Sequence, residues 1–423
     1  MPEEGHGRKR LRFMQQPNPT QPGPADRLTV MQIIPALESG GAELGTVQVA
    51  EALCKAGHRA LVVSRGGRME TPIHDCGKLI RLDVASKNPL TIIANGVRLA
   101  LLARREGVDV LHVRSRAPSW STLIASKLTG IPYIGTYHTI YREQSGLKNL
   151  YNSAVVRGAR VIAVGDETAA VMRQRYPFLP AARIVTIHRG VDLNVFDPAA
   201  VTAERKAALA AAWRLPEGAE VALLPGRIVH RKGHHVFIRA IHRLVEGGRD
   251  NLVGVCAGDD QGRSRYHDEM AALVASLDLE DHIRFVGHCE DMPAAYALSR
   301  VAVSAAVESE GLQRAILEAQ AMGVPVVVSD VGSGIEVVRA TPRVAESETT
   351  GYNVQAGDPE ALAEAIDRVL RLAPADYDAM SGRASAWARG SFSHEVFTAK
   401  TLALYREVVD EARGAGPAAA QKA

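Results

Sequence analysis

The stretch 221–244, VALLPGRIVHRKGHHVFIRAIHRL, runs from a short apolar segment through a basic loop into an amphipathic pattern. Val221–Leu224 is too short for a helix and reads as a buried strand. Pro225-Gly226-Arg227-Ile228-Val229-His230-Arg231-Lys232-Gly233 follows, and Val236, Ala240, Ile241 and Leu244 then recur on one helical face. Strand, loop and helix in that order form the unit from which parallel sheets are wound. Arg227 and Lys232 sit at the strand end, beside a helix start whose free N–H groups favour anions. A diphosphate fits there, held by a guanidinium fork and an ammonium point charge without a metal. Taken alone, the same loop also reads as a basic, solvated turn.

The unit repeats in both directions. Upstream, apolar segments at Leu28–Leu37, Ala60–Ser64, Val108–Val113, Pro132–Thr136 and Arg160–Val164 alternate with helical patterns such as Leu44, Val47, Ala50 and Leu53, Ile92–Arg105, and Ser119–Leu128. Between Asp192 and Glu217 the rhythm breaks at Asp197-Pro198 and an Ala-rich charged stretch. Downstream it resumes with Leu252–Ala257, Ile283–Val286, Val301–Ser304 and Val324–Ser329. The fold class is therefore α/β, with two Rossmann-like doubly wound domains facing a central cleft. The expected boundaries are a disordered tail over 1–27, an amino-terminal domain over 28–195, a carboxy-terminal domain over 196–385, a helix over 386–412 that folds back on the first domain, and a tail over 413–423. The last helical pattern is Phe392–Val409.

A chain of 423 residues with 46% hydrophobic content can fill two cores. The longest apolar runs, such as Val324–Val328 with Pro325 inside it, fall far short of the ~20 residues that span a bilayer. The amino-terminal Pro/Gln/Gly-rich stretch lacks the apolar centre of a secretory signal. Cys54, Cys76, Cys256 and Cys289 are scattered without a CxxC pair, which argues against a zinc knuckle or a disulfide framework and for a cytoplasmic protein. A net charge of +3 carries no nucleic-acid signature. Arg8, Lys9, Arg10 and Arg12, and the helical Arg98, Arg104 and Arg105, read either as solvated surface or as contacts for an anionic membrane.

A second segment, Glu308-Ser309-Glu310-Gly311-Leu312-Gln313-Arg314-Ala315-Ile316-Leu317-Glu318, sets Glu310 in a loop after a strand and Glu318 about two turns into the next helix. Glu318 is a charge among Ala315, Ile316, Leu317, Ala319 and Ala321, so it requires a partner. A ribose diol or a structural Arg supplies one. His138 ends the apolar strand Pro132–Thr136 and faces the crevice, or is a satisfied core histidine. Gly40-Gly41 precedes a helix, as a tight turn or as a close approach to phosphate.

Glu310 and Glu318, separated by seven residues and followed by Ala319-Gln320-Ala321-Met322-Gly323-Val324-Pro325-Val326-Val327, resemble the E-x7-E segment of retaining glycosyltransferase family 4 (glycosyl transferases group 1). Gly226-Arg227 with Lys232-Gly233 is similar to that family's diphosphate loop, Gly40-Gly41-Ala42-Glu43 to its amino-terminal loop, and His188-Arg189-Gly190-Val191-Asp192 to its interdomain segment. The match covers about Leu28 to Val409. It implies the GT-B fold, with a nucleotide-sugar donor in the carboxy-terminal domain and a glycan or lipid-linked acceptor mainly in the amino-terminal one, in cell-surface polysaccharide or lipopolysaccharide synthesis at the inner membrane face. It assigns Glu318 to the nucleotide ribose, Glu310 and His138 to the donor sugar, Arg227 and Lys232 to the diphosphate, and Gly287 and His288 to the segment flanking the base. It implies no cofactor and no metal, and Gly258-Asp259-Asp260 is not a metal signature in this context. Where the family commonly has Gly-Phe-Gly, this chain has Gly311-Leu312-Gln313, and the Gln313 side chain is expected to crowd the donor and so to weaken or redirect activity. A sugar-nucleotide 2-epimerase and an inactive nucleotide-sugar binder are the alternatives.

Overall fold

The computed structural model describes residues 26–38, 40–138, 146–260, 262, 264–309 and 311–414. Most of both expected tails, 1–25 and 415–423, lies outside the described residues, and so does Glu310. Among the described residues the first sheet contains β1 (Thr29–Ile33), β2 (Arg59–Ser64), β3 (Lys78–Arg81), β4 (Val110–Val113), β5 (Tyr133–Tyr137), β6 (Arg160–Ala163) and β7 (Ile184–Thr186). The second contains β8 (Glu220–Pro225), β9 (Leu252–Ala257), β10 (Ile283–Gly287), β11 (Val301–Ser304), β12 (Val326–Ser329) and β13 (Gly351–Val354).

Both sheets are parallel throughout and wound in two directions from a central pair. Their orders are β3-β2-β1-β4-β5-β6-β7 and β10-β9-β8-β11-β12-β13. Val30 pairs with Ala60 on one side and Val110 on the other, and Ala222 pairs with Gly254 and Val301. Winding reverses between β1 and β4 and between β8 and β11, so the strand carboxyl ends open crevices at those points. Helices cover both faces, which explains why strands such as β4, Val-Leu-His-Val, are buried at every position.

The structure adds three strands that the sequence pattern does not reveal. β3 is a partly exposed edge with Lys78 and Arg81 at its ends, while β7 and β13 hold three and four residues. β1 is shorter than the apolar run Leu28–Leu37, because Pro35 follows and cannot donate to a ladder.

The expected Phe392–Val409 helix is present as His394–Ala412, and a break at Ser393 separates it from a preceding helix, Pro374–Phe392. Pro374–Phe392 ends at Ser393, whose Oγ accepts from Val396 N at 3.2 Å and starts His394–Ala412. At this break the chain returns to the first half beside the segment that left it. Val191 N donates to Phe392 O at 2.7 Å and His394 N to Val191 O at 2.9 Å. Gly190 permits the crossing, since a Cβ there would lie 2.5 Å from His394 Cα. The His394–Ala412 helix then buries Phe397, Leu404, Tyr405, Val408 and Val409 in a cluster with Val30, Val62 and Ile162 of the first sheet. Tyr405 Oη lies 2.5 Å from His112 Nδ1, and Arg160 bonds Glu407 at 2.8 Å, so apolar and polar contacts hold this helix on the first half.

Candidate active site

The loop 225–233 turns at the carboxyl end of β8. Gly233 takes φ +70°, and a Cβ there would meet the Ala305 carbonyl at 1.7 Å, so only glycine lets the loop lie on the end of β11. Gly226 leaves room for the Lys232 stem, whose Cε would be 3.1 Å from an added Cβ. Arg227 and Lys232 thereby face a cavity of about 460 Å³ between the halves.

The same cavity is lined by Gly311, Leu312, Gln313 and Glu318 from the second half and by His138 and Arg189 from the first. The helix following Gln313 begins at Arg314, so Glu318 sits early in its second turn rather than two turns in. Its Oε1 accepts from Arg314 Nη2 at 3.0 Å and its Oε2 from Tyr296 Oη at 3.3 Å. Burial pushes the Glu318 carboxyl up from its ordinary value, against the pull of Arg314 and Tyr296. An Arg is therefore its protein partner while the carboxylate still borders the cavity.

His138 directly follows β5. Its Nδ1 lies 2.7 Å from Arg189 Nη2, and its Nε2 is buried with no hydrogen-bond partner among the described residues. The Arg114 carbonyl pulls on the ring but not at hydrogen-bonding geometry. Burial first, then Arg189 and Arg114, depress the His138 pKa well below the ordinary 6.5. Arg189 is itself pulled down to about 10 by burial and by Arg314 and Arg114.

Gly40, Gly41, Gly287 and His288 do not line this cavity. Gly41 opens the Gly41–Lys55 helix against Arg189, whose Nη1 would be 2.1 Å from an added Cβ, whereas Gly40 faces Glu43. Gly287 ends β10 at φ +66° with open space around it. Gln313 is 5% exposed, and its Nε2 is buried without a partner among the described residues. It forms cavity wall at φ −82°, a conformation that does not require glycine.

Sequence reasoning did not place Arg189, Arg231 and Tyr296 in the site, yet all three line it. Arg189 lay in the interdomain segment already singled out, and Arg231 lay in the diphosphate loop itself. Tyr296 gave no signal, since it sits in the Met292–Leu298 helix, far in sequence from the Glu318 it meets. Arg189, Arg227, Arg231, Lys232 and Arg314 make the cavity strongly electropositive, and Glu318 is the one carboxylate on its wall among the described residues. Such a site attracts a polyanion.

Beside the cavity the halves are joined through Glu336. It accepts from the Asp166 and Glu167 backbone N–H groups at 2.6 Å each, at the start of the Asp166–Arg175 helix, and lies 3.0 Å from His188 Nε2. Asp166, His188 and Glu336 are metal-ligating residue types within 4.8 Å of one another. The Glu336 oxygens are nevertheless already taken by N–H groups, so the cluster acts as a hydrogen-bonded junction. A second cavity of about 560 Å³ lies in the first half, lined by Lys87, Arg116, Lys148, Tyr151 and Asn152 among others.

A family model described as Glycosyltransferase Family 4 matches residues 39–195, and one described as Glycosyl transferases group 1 matches residues 219–371. D-inositol 3-phosphate glycosyltransferase of Salinispora tropica is 30% identical over 345 residues, covering 75% of this chain and 68% of that protein. A crystallised glycosyltransferase from Rickettsia africae is 30% identical with a TM-score of 0.82, covering 91% of this chain and 99% of that one. Anabaena HepE, solved in complex with UDP, is 18% identical with a TM-score of 0.76 over 90% of this chain and all of that one, a likeness of fold.

Proposed function

The chain belongs to glycosyltransferase family 4 with the GT-B fold, and from that premise we propose that it moves a sugar from a nucleoside-diphosphate donor to an acceptor with retention at the anomeric carbon. The observation that carries the donor reading is the convergence of Arg189, Arg227, Arg231, Lys232 and Arg314 on one cavity between the halves. As the bond to the sugar breaks, negative charge grows on the leaving diphosphate, and fixed cations in a site screened from water stabilise it. That charge complement supports metal-independent transfer. Glu318 meets the ribose, exchanging part of its bond to Arg314 or Tyr296 for hydroxyl donors.

The tautomer of His138 adds a second element. Its Nδ1 faces the Arg189 donor, so the ring proton sits on Nε2 and can be donated to a sugar hydroxyl. Glu310, assigned to the same sugar by family resemblance, lies outside the described residues. HepE was solved with UDP, which makes a UDP-sugar the first donor to test here. The acceptor sits in the first half, where Lys87, Arg116 and Lys148 border the second cavity and suit a phosphate-bearing polyol or lipid-linked glycan. The name of the Salinispora relative, an inositol-phosphate glycosyltransferase, supports an anionic acceptor.

Thermal-shift titration with UDP-, GDP-, ADP- and CDP-glucose tests the donor reading, because a bound donor stabilises by mass action. One donor raises the melting temperature, a chelator leaves that rise intact, and the Arg227→Ala, Lys232→Ala double variant abolishes it. Full transfer or donor hydrolysis by the double variant removes the assignment.

A further inference from the structure

The Pro89–Arg105 helix packs Ile92, Leu99, Ala100 and Ala103 inward and lies close on its neighbour Ser119–Thr129, where a Cβ at Gly96 would meet Ile124 at 2.6 Å. Its outer face is apolar. Leu90 is 78% exposed, Ile93 53%, Val97 43% and Leu101 62%. At about 100° per residue these four fall within an arc of about 80°. The adjoining helix extends the patch with Leu128.

No Asp or Glu occurs in either helix. Arg104 lies at the end of the apolar arc, Arg98 and Arg105 lie on its flank, and Lys127 is exposed beside Leu128. Glu106, which ends the helix, is paired with Arg105, Arg59 and Lys78, so the stripe is edged by a net excess of cations, the pattern of a helix that lies in the headgroup region of a membrane. Self-association on this face would set the same cations against one another, which argues against a second copy as occupant. The helix also begins next to the acceptor-side cavity: Asn88 caps it, and the preceding Lys87 lines that cavity together with Arg116 and Lys148.

We propose that the outer face of the Pro89–Arg105 helix docks on an anionic membrane surface, so that the Lys87 side of the acceptor cavity opens toward lipid headgroups. The docking stands on these two helices alone, while the delivery of an acceptor rests on the function proposed above. Apolar side chains enter the headgroup boundary, and the arginines and Lys127 meet lipid phosphates. A phosphate-bearing acceptor anchored in the same leaflet then reaches the cavity without leaving the membrane.

Co-sedimentation of the full chain with vesicles tests this. The chain is expected to pellet with phosphatidylcholine–phosphatidylglycerol vesicles, to stay in solution with phosphatidylcholine alone, and to be released by salt. Leu90→Ser with Leu101→Ser, and separately Arg98→Glu with Arg104→Glu, each lower partitioning about tenfold. The donor shift in lipid-free solution stays unchanged, since these side chains are exposed and do not line the cavity between the halves, while Arg104→Glu also gives up the bond from Arg104 to the Leu128 carbonyl. Absence of binding to mixed vesicles, equal binding to both vesicle types, or unchanged binding by both variants overturns the proposal. So does a lipid-free dimer that the leucine variant dissolves. The donor shift is read without lipid, so its loss strikes the transferase reading and not the docking.

Discussion

Arg189 donates through Nη2 to Nδ1 of His138 at 2.7 Å, and a guanidinium has no lone pair with which to accept in return. The contact fixes the proton on Nε2, the atom left buried without a partner among the described residues. Burial first, then the neighbouring Arg189 and Arg114, disfavour the imidazolium and hold the His138 pKa well below that of a free histidine. Arg189→Ala removes the fixed tautomer and one of the cations lining the cavity. Turnover should fall about 10²–10³-fold. The variant's pH–rate profile should also acquire an acid limb nearer the ordinary histidine pKa of about 6.5. A profile unchanged in shape would show that Arg189 acts on the diphosphate alone.

Stability carries the same signature. His112 and His138 lie well below 6.5, and His234 is lowered to about 3, each chiefly by burial. A base whose folded pKa is depressed binds fewer protons folded than unfolded once the pH drops below the unfolded value. Its contribution is whole above pH about 6.5 and is lost progressively below it. Melting temperature should therefore fall steadily from pH 6.5 toward pH 4. The slope should flatten in a His112→Phe variant, because one imidazole with a depressed pKa is removed, at the cost of the contacts with Tyr405, Thr136 and Arg114.

The Glu336 junction predicts how the halves move. Burial pushes its carboxyl up, but His188 and the two backbone N–H groups outweigh burial and hold it below its ordinary value. An acid with a depressed folded pKa contributes stability above its unfolded pKa and loses it as the pH falls through the folded one. Glu336→Ala leaves the start of the Asp166–Arg175 helix uncapped, a change worth about 1 kcal/mol. Small-angle scattering should show a larger and broader radius of gyration for this variant, with the donor shift retained at reduced size. An identical scattering curve would mean that the other cross-half contacts, such as Ser309 with Glu167, hold the arrangement by themselves.

Much of this molecule is legible in the chain because its signals are local. The strand, loop and helix at 221–244 sits where the spacing puts it, since burial on both faces forces a continuous apolar run and Gly233 forces the turn. Edge strands such as β3 escape notice because half their surface is wet and charged residues are tolerated there. Arg189 and Tyr296 escape for a different reason. Each reaches the cavity through a tertiary contact with a residue distant in sequence, His138 and Glu318 respectively, and no periodicity encodes such a meeting. The break at Ser393 is hidden because a serine inside a helical pattern reads equally as an interior residue or as a cap.

Glu318 is held on both oxygens, and removing it strands its partners. Glu318→Ala leaves Arg314 without its carboxylate and Tyr296 Oη with only the Ala315 carbonyl. Breaking a buried pair by deleting one member costs about 3–5 kcal/mol, and partial exposure to the cavity argues for the lower figure here. Glu318→Gln keeps the acceptor oxygen, so urea unfolding should show a much smaller loss for it. If the ribose reading is right, both variants lose most of the donor-induced thermal shift. Retention of that shift in Glu318→Gln would reduce Glu318 to a structural partner of Arg314.

The Gln313 side chain forms a buried part of the cavity wall, close to Gly334, with Nε2 unpartnered among the described residues. At φ −82° a glycine gains no conformational relief, so Gln313→Gly should cost the folded chain about 0.5–1 kcal/mol in backbone entropy. It also removes a buried amide that has no acceptor among the described residues, whose burial penalty is on the order of 1–3 kcal/mol. The two effects oppose each other, and the melting temperature should move little. What changes is the wall. With the carboxamide gone the cavity widens, and the variant should accept donors with bulkier sugars that the parent chain rejects, read as the spread of thermal shifts over one nucleotide with several sugars attached. If instead the parent's own donor weakens about tenfold while the bare nucleoside diphosphate binds as before, the orphaned N–H is the group that selects the sugar.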